Sequence, residues 1–329
     1  MEHYEPPFSI TNRMLSLVAD ISEKLGRIAA YRSLDAKPQL RRNNRIKSVH
    51  SSLKIESSSL TEGMVRAVLN NRPVIGPERE IQEVKNAFAS YDRIGTVDPY
   101  SLKDLKELHG IMTYLTVEES GIFRRGGEGV FDGDRCIFMA PPPGMVPPLM
   151  ERLFAWMKQN AKTVHPLILS CVFHYEFVFI HPFSDGNGRM ARLWQTILLT
   201  EWNPVFQFIP IESQIKKFQD GYYDVIAVCN ARGSSTDFIE FMLARIGEVL
   251  DEVLAQSSSD VGYSDYVGRL LSVMESDTAY TASALLNLLH LRSRETLRHH
   301  YLDPAIEAGL VEMTIPDKPT SRNQRYRKR

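Results

Sequence analysis

One short segment of the sequence, beginning at His181, concentrates side chains that suit phosphate chemistry. His181 can accept a proton near neutral pH, and Asp185 offers a hard carboxylate oxygen of the kind that Mg²⁺ binds alongside substrate phosphates. Gly186 and Gly188 allow a tight turn, after which a helix is predicted to begin near Asn187. Because the first turn of a helix presents unpaired backbone N–H groups, this turn is predicted to bind an anion.

Two arginines follow the turn on the same predicted helix. Arg189 and Arg192 are three residues apart, so they share a face of the helix and their guanidinium groups could hold further phosphate oxygens. Each of these residue types is common in surface loops, and a lone histidine is more often structural than catalytic. The co-occurrence of a base, a metal ligand, an anion-binding turn and two arginines favours a polyphosphate site. The sequence has no Walker loop and no G-x-G-x-x-G motif after a strand.

The elements that must position this segment are predicted to be mostly helices, because apolar residues recur three or four positions apart. Between residues 121 and 148 the pattern changes to two short apolar runs around an Asp-Gly turn, which predicts a β-hairpin. The predicted helices cover residues 10–31, 48–57, 80–93, 102–115, 146–159, 166–180, 189–201, 214–230 and 238–253.

The C-terminal part of the chain is predicted to be a separate domain. Residues 255–260 are small and polar, which is typical of an interdomain linker. After them, three helix-like segments and two strands around a loop follow the order of a winged helix. From residue 265 onward the chain carries ten basic and eight acidic side chains, so its positive charge is weak.

A candidate recognition helix in this domain starts near Ser293 and carries Arg294, Arg298 and His299, and residues 325–329 form a basic tail. These side chains could contact phosphates, so duplex DNA is one expected partner. Winged helices also serve as protein-docking or dimer modules, so docking of another protein and a homodimer stay open as alternatives.

The composition bounds the class of protein. Across 329 residues, 39 Lys and Arg balance 40 Asp and Glu, which argues against a wholly basic nucleic-acid coat or a disordered acidic tail. With 43% hydrophobic residues the chain is globular, and its length suggests two domains. The three cysteines form no C-x-x-C pair, so neither a disulfide framework nor a zinc cluster is expected. A cytoplasmic location and no membrane partner are expected.

Residues 181–189 match the H-P-F-x-D-G-N-G-R signature of the Fic family without a departure. The resemblance extends backward through Gly121-Ile122-Phe123-Arg124 and the hairpin, and forward through the helices that end near Val253, about half of the chain. It implies a mainly α protein: an all-helical Fic core with a β-hairpin flap, plus a C-terminal winged-helix domain. The expected divisions are an N-terminal helical region, a catalytic domain and the winged helix, at residues 1–100, 101–254 and 262–329.

The resemblance also implies an enzyme that transfers AMP from ATP to a Ser, Thr or Tyr hydroxyl of a protein, releasing pyrophosphate, with Mg²⁺ required. By motif position His181 would be the general base, and Asp185 would hold Mg²⁺ between the α- and β-phosphates. Arg189 would stabilise the leaving pyrophosphate, and Phe183 would anchor the loop in the core. These roles agree with the chemistry, because phosphoryl-type transfer needs mainly positioning and charge stabilisation.

The phosphates would be cradled by the backbone of residues 186–188 together with the Asn187 side chain. Tyr222 and Tyr223 lie on a helix that flanks the adenine in relatives, although aromatic residues at helical spacing are also typical of a core. The nucleotide contacts implied by the resemblance are Phe183, Gly186, Asn187, Gly188, Arg189, Arg192, Tyr222 and Tyr223.

The predicted hairpin at residues 126–140 resembles the family flap, whose exposed edge pairs with the extended segment of a protein target. Main-chain pairing holds a peptide in register without reading its sequence, which suits a strand beside a catalytic base. The expected partner is therefore a protein with an acceptor hydroxyl, and self-modification is included. A different class, a DNA-binding regulator that uses the Fic core as a nucleotide sensor, stays open.

An upstream helix, at about residues 44–57, resembles the family's inhibitory motif, [ST]-x-x-x-E followed by Gly or Asn. Ser52 and Glu56 fit the motif and share one helix face, while Ser57 stands at the Gly or Asn position. The resemblance predicts that Glu56 pairs with Arg189 and takes the place of the ATP γ-phosphate.

A second stretch, residues 58–63, also fits the short inhibitory pattern and would make Glu62 the inhibitory carboxylate, but the residues around Glu56 are closer to the family's. In some relatives the inhibitory Glu is proposed to position water for removing AMP. Removal of AMP is therefore an alternative direction of the reaction.

Overall fold

The structure is a computed structural model that describes residues 4–30, 38–132, 135–259, 265–275, 278–316, 318–319 and 321–328. It divides into two units, Met1–Leu254 and Ala255–Arg329. The division falls inside a helix that continues to Ser259. The predicted linker thus begins where the two units divide, but its residues through 259 are helical, because short runs of small polar residues have only a weak preference against helix; residue 260 lies outside the described residues.

The first unit is built from helices around one hydrophobic core, to which both the predicted N-terminal region and the predicted catalytic region contribute. Its helices are α1 (Asn12–Ala30), α2 (Pro38–Ile55), α3 (Glu62–Leu69), α4 (Glu78–Tyr91), α5 (Leu102–Met112), α6 (Val146–Asn160), α7 (Pro166–Ile180), α8 (Asn187–Trp202), α9 (Ile211–Lys217), α10 (Gln219–Arg232) and α11 (Thr236–Ser259), with 3₁₀ turns at Pro143–Met145 and Pro204–Phe208.

Helices α7 and α8 form the centre of this unit. Helix α7 is apolar around most of its circumference and nearly all of it is buried, as expected for a helix enclosed on every side. Helix α8 is buried through most of its length as well. The segment that carries the candidate chemistry connects the two helices, so a buried helix holds it at each end.

The predicted hairpin is confirmed. Strands β1 (Gly129–Asp132) and β2 (Arg135–Met139) pair antiparallel, with Gly129 opposite Met139 and a register shift between Val130 and Phe131. Of the predicted Asp132-Gly133-Asp134 turn, Asp132 is the last residue of β1, and residues 133 and 134 lie outside the described residues.

Two helix predictions need correction. The helix predicted to be inhibitory, α2, ends at Ile55, before Glu56, because the chain enters the left-handed region at Ser57 with φ of 67° and the Ser58 N–H donates to the Leu53 carbonyl at 3.2 Å. The predicted single helix at residues 214–230 is two helices, broken where Phe218 adopts φ of −115° and ψ of 37°.

The second unit combines short helices with a small antiparallel sheet around its own core. In this sheet the strand β5 (Tyr326–Lys328) lies between β3 (Ala279–Tyr280) and β4 (Val311–Met313). The elements are α12 (Asp265–Val273), β3 (Ala279–Tyr280), α13 (Ala282–Leu288), α14 (Arg294–Thr296), a π-helical turn (Leu297–Leu302), α15 (Asp303–Glu307), β4 (Val311–Met313) and β5 (Tyr326–Lys328). The predicted mainly α class is confirmed.

The predicted basic tail is a strand rather than a free tail. Arg327 of β5 faces Glu312 of β4 at 3.9 Å, and the Lys328 ammonium donates to the Leu271 carbonyl at 3.1 Å. Residue 329 lies outside the described residues. On the candidate recognition segment Arg298 and His299 are exposed, and both lie near the carboxylate of Asp303, at 3.7 and 3.6 Å.

Candidate active site

His181 ends helix α7 in an uncommon conformation. Its φ of 51° and ψ of 60° lie in the left-handed region, and its N–H donates to the Phe177 carbonyl at 2.9 Å. The ring atom Nδ1 lies 3.2 Å from the Val178 carbonyl, which can only accept, so Nδ1 carries the proton and Nε2 keeps its lone pair. Burial lowers the pKa of His181, so the imidazole is neutral near neutral pH. The geometry thus prepares Nε2 to accept a proton.

The turn after His181 is held by its own side chains. Phe183 is fully buried. The Asn187 amide donates to the Phe183 carbonyl at 2.7 Å and accepts from the Phe183 N–H at 2.9 Å. The Asn187 side chain thus holds the loop with its oxygen and one N–H, and its predicted contact with phosphate stays a prediction, since the amide nitrogen carries a second N–H. Gly186, with φ of 80°, caps α8, which begins at Asn187.

His109 of α5 supports the turn and was not found from the sequence. Its ring stacks on Phe183 with 3.6 Å between centroids. The Gly121 N–H donates to its Nδ1 at 2.9 Å, so Nε2 carries the proton and donates to the Asp185 carbonyl at 3.0 Å. Burial lowers the pKa of His109 to about 4, which keeps this tautomer neutral. A lone histidine on a predicted helix gave no signal of this role.

The carboxylate of Asp185 has three partners. Its Oδ1 accepts from the Gly186 N–H at 2.5 Å and from Arg189 at 3.0 Å, while Oδ2 accepts from Arg79 of α4 at 2.7 Å. Arg79 is the most exposed of these, with 61% of its side chain accessible. Glu83, one turn further along α4, lies 3.3 Å from Arg79 and 3.5 Å from Arg189. Sequence reasoning missed both α4 residues, since their charges are typical of a solvated helix face.

Arg189 is 3% exposed, yet part of its guanidinium is unpaired. Among the described residues, Nε and Nη1 make no hydrogen bond, although Nη1 lies 3.5 Å from Glu83 Oε1 in an ion pair, and Nη2 donates to Asp185. Buried donors without hydrogen bonds are costly and rare in folded proteins. Such donors on a cation at the first turn of a helix suit an anionic oxygen.

Glu56 pairs with Arg192, and the predicted pairing of Glu56 with Arg189 is wrong. Arg192 Nη2 donates to Glu56 Oε1 at 2.7 Å and to the Ser52 carbonyl at 3.1 Å, and Nε donates to Ser52 Oγ at 3.1 Å. The reason is geometric, because α2 crosses α8 one turn beyond Arg189. Arg189 instead turns back toward Asp185, four residues earlier.

The Glu56 carboxylate also covers the first turn of α8. Gly188 lies directly beneath it, and a Cβ added at Gly188 would collide with Glu56 Oε1. The space over Gly188 is thus a cradle for an oxygen anion, and Glu56 fills it. The alternative carboxylate, Glu62, lies on α3 and pairs with Arg66 of the same helix at 3.3 Å.

Of the two tyrosines predicted to flank the adenine, Tyr222 is a core residue. It is 2% exposed and its hydroxyl bonds to His174 Nε2 at 2.9 Å, so the prediction that it contacts the nucleotide is corrected. His174 Nδ1 in turn bonds to the Gln195 carbonyl oxygen at 2.6 Å, and burial lowers the pKa of His174 to about 3. Tyr223 is 47% exposed and remains available beside Glu56.

The described residues hold no group of three or more His, Cys, Asp or Glu side chains that could bind a metal. A single carboxylate beside a phosphate seat still suits Mg²⁺, which keeps several waters and binds through one or two carboxylates and substrate phosphates. In the part of the chain that the structure describes, no helix is both long and apolar enough to span a membrane.

Fold and site together define a helical protein with a neutral histidine next to an anion-binding turn. A family model for the Fic/DOC family matches residues 99–199. A model described as "Filamentation induced by cAMP protein Fic-like, C-terminal domain" matches residues 265–328. The crystal structure of a Fic family protein from Desulfovibrio desulfuricans G20 is 41% identical, with a TM-score of 0.75, covering 99% of this chain and 98% of that chain. This chain belongs to the Fic family.

Curated relatives match over part of their length. "Protein adenylyltransferase Fic" of Culex quinquefasciatus is 29% identical over 222 residues, which are 65% of this chain and 42% of that protein. The Drosophila virilis protein of the same name is 30% identical over 219 residues. The chain thus spans less than half the length of these relatives. Fic-1 from C. elegans shares the fold, with a TM-score of 0.57 at 19% identity and 74% coverage of each chain.

Proposed function

We propose that this protein is an adenylyltransferase that moves AMP from ATP to a Ser, Thr or Tyr hydroxyl of a protein. The acceptor oxygen attacks the α-phosphorus and forms a new O–P bond. The bond from that phosphorus to the bridging oxygen of the β-phosphate breaks, and pyrophosphate leaves. The hydroxyl proton passes to Nε2 of His181. The curated relatives that are named adenylyltransferases support the class of reaction.

The observation that carries the proposal is the pairing of a base with an anion seat. His181 presents an unprotonated Nε2 at the end of α7, and the first turn of α8 lies a few residues further on. The Arg189 donors that make no hydrogen bond among the described residues suit the oxygens of a polyphosphate, whose charge grows on the leaving group during transfer. A positioned general base contributes about 10²- to 10⁴-fold to such a step.

Asp185 is the residue that would hold Mg²⁺. Bound there, the cation would neutralise charge on the phosphates. The carboxylate fits this role chemically, but Arg79 and Arg189 now share it. Arg79 is the partner that can leave, because it is the most exposed of the carboxylate's partners and is joined to it by a surface ion pair.

We also propose that the turn after α2 is a brake on the transfer. Glu56 fills the cradle over Gly188 and neutralises Arg192, so an anionic substrate group must displace it. The equilibrium shifts only by the difference in ATP affinity between the braked and open states. The Glu56 side chain is 40% exposed, so its carboxylate is already partly hydrated while it holds Arg192.

The flap supplies the proposed docking edge for the target. Strands β1 and β2 form a two-stranded sheet, so each has an edge free to pair with an extended segment. A second copy of this chain is one such target, which would make self-modification a usable assay.

The test is the intact mass of the protein after incubation with ATP and Mg²⁺. Glu56→Gly is expected to gain the mass of one or more AMP groups, while wild type and the double variant Glu56→Gly with His181→Ala stay unmodified. Glu62→Gly is the matched control, because it removes a carboxylate from α3 without touching Arg192. Mass gain by the double variant would contradict the role of His181.

If the Glu56→Gly variant stays unmodified, the alternative reaction to test is the removal of AMP from a modified protein. Incubating AMP-modified protein, prepared chemically, with wild type and with Glu56→Gly separates the two directions. Release of AMP by wild type but not by Glu56→Gly would favour hydrolysis with Glu56 as the residue that positions water.

For the second unit we propose duplex DNA as an alternative partner, since Arg292, Arg294 and Arg298 are exposed along one segment. Asp303 partly neutralises that segment. Binding to a duplex at low salt that falls steeply as salt rises would support the proposal. No binding at low salt would end it.

A further inference from the structure

We propose that Arg124 is a positioning residue that fastens the base of the flap to the main chain of His181. The inference rests on the proposed transfer reaction, in which the flap carries the target and His181 the base. Arg124 lies between α5 and β1, outside the motif, and only 3% of it is exposed.

The guanidinium of Arg124 binds the carbonyls of three separate segments. Nε donates to the His181 carbonyl at 2.6 Å, Nη1 to the Gly126 carbonyl at 2.7 Å, and Nη2 to the Pro141 carbonyl at 2.5 Å. Gly126 and Pro141 stand at the two ends of the flap. One side chain therefore joins both flap ends to the residue that supplies the base.

The Arg124 backbone adds a further link, since its N–H donates to the Pro182 carbonyl at 2.9 Å. Nη2 also approaches the Ile180 carbonyl, at 3.4 Å. A cation is favourable at the C-terminal end of α7, where carbonyls lack partners within the helix. Arginine suits the position because its rigid planar fork can reach several acceptors at once, whereas a lysine ammonium is a point charge.

The hydrogen bonds from the Arg124 guanidinium to the carbonyls of Gly126, Pro141 and His181, here called the clamp, act on a residue with an uncommon backbone conformation. A left-handed backbone is unfavourable for a residue other than glycine, and it persists only where the surroundings enforce it. Arg124 fixes the His181 carbonyl, and Val178 fixes Nδ1. Together they set the direction of Nε2.

The flap has an independent apolar contact with α7. Phe138 of β2 lies 5.6 Å from Phe179, centroid to centroid. The contact between Phe138 and Phe179 fixes the position of the hairpin against α7. The hydrogen bonds of Arg124 fix the distance between the two flap ends and the His181 backbone. A target strand paired to the flap would then hold its hydroxyl at a fixed distance from Nε2. Misplacement of reacting groups by about 1 Å can reduce a rate by about 10²-fold.

The experiment compares Arg124→Met and Arg124→Lys with Arg125→Met, all in the Glu56→Gly background. Arg125 is the matched control, because it is the adjacent arginine, is 83% exposed and has only a 4.0 Å contact with Glu119. The acceptor is the Glu56→Gly/His181→Ala protein at varied concentration. We expect Arg124→Met to lower kcat by about 10²-fold and raise KM for the acceptor, with ATP affinity unchanged within twofold. Arg124→Lys should restore only part of the loss, and Arg125→Met should match its parent.

Hydrogen exchange measured by mass spectrometry tests the clamp without relying on transfer. Arg124→Met should speed exchange in residues 126–132 and 135–140, and leave α5 and α8 protected. Flap exchange equal to that of Arg125→Met would overturn the inference, as would a uniform loss of protection across the first unit. If the Glu56→Gly parent modifies nothing, the proposed function fails, but the exchange result still decides the clamp.

Discussion

The two arginines of helix α8 are three residues apart and equally buried, yet their surroundings are opposite. Arg192 is held by the end of α2 and the turn after it, with hydrogen bonds to Ser52 Oγ, the Ser52 carbonyl and Glu56. Arg189 faces α4, where Glu83 lies 3.5 Å from Nη1, and its Nε and Nη1 make no hydrogen bond among the described residues. Under the proposed function, Arg192 holds the brake and Arg189 meets the substrate.

The largest predicted effect is that of Arg189→Met on the rate of AMP transfer, measured in the Glu56→Gly background. Loss of its donors should lower AMP transfer by about 10²- to 10³-fold, the range found when one preorganised donor to a developing anion is removed. Self-modification followed by intact mass measures the rate. Arg189→Lys should not recover the rate, because a point charge cannot replace two fixed donors. A variant as fast as its parent would show that the free donors do not meet the substrate.

The three hydrogen bonds of Arg192 predict an effect on the stability of the wild-type protein. Arg192→Met should destabilise the first unit by about 1–3 kcal/mol, because it removes three hydrogen bonds from a buried cation. The lower end is favoured since Glu56 stays partly hydrated. Arg189→Met should cost less than Arg192→Met, about 1 kcal/mol, because it removes one hydrogen bond to Asp185 and a 3.5 Å ion pair with Glu83, while Nε has no hydrogen bond to lose. Denaturant unfolding measures both, and a larger loss at Arg189 would reverse the comparison.

Arg79 forms an ion pair with Asp185 and would compete with Mg²⁺ for its carboxylate. Arg79→Met should tighten Mg²⁺-dependent ADP binding by up to about fivefold, since an exposed ion pair contributes at most about 1 kcal/mol. Calorimetric titrations with and without Mg²⁺ give the change. Arg66→Met is the control, because Arg66 forms a similar exposed pair with Glu62. Weaker binding by Arg79→Met would instead mean that Arg79 helps to hold the nucleotide.

Ser57 follows Glu56 in the turn after α2, and its substitution has the smallest expected effect. It adopts φ of 67°, a region that favours glycine, so Ser57→Gly should stabilise the turn after α2 by about 1 kcal/mol. Denaturant unfolding measures this change, and in the intact-mass assay Ser57→Gly should stay unmodified, as wild type does. Asn71→Gly relaxes a similar conformation after α3, with φ of 54°, and should leave transfer unchanged. A faster Ser57→Gly variant would contradict the brake.

The local chemistry was readable from the sequence, whereas contacts between elements were not. The turn from His181 to Arg192 could be predicted because adjacent residues and helix geometry fix it. The pairing of Glu56 with Arg192 depends on where α2 crosses α8, and no spacing within either helix contains that information. The break at Phe218 was missed because apolar periodicity continues through it.

The supporting residues were hidden for a related reason. His109, Arg79 and Arg124 come from elements distant in sequence, and their types are ordinary where they stand. Arg124 stands out only when its carbonyl partners in three segments are seen together.

The most direct test of the comparison is a double-mutant cycle on the unfolding free energy, using Glu56→Gln with Arg192→Met and Glu56→Gln with Arg189→Met. The contacts predict a coupling of about 1 kcal/mol between Glu56 and Arg192. They also predict that the Glu56 and Arg189 changes add within about 0.5 kcal/mol, as independent sites do. A coupling to Arg189 as large as the coupling to Arg192 would contradict the division between a brake arginine and a substrate arginine.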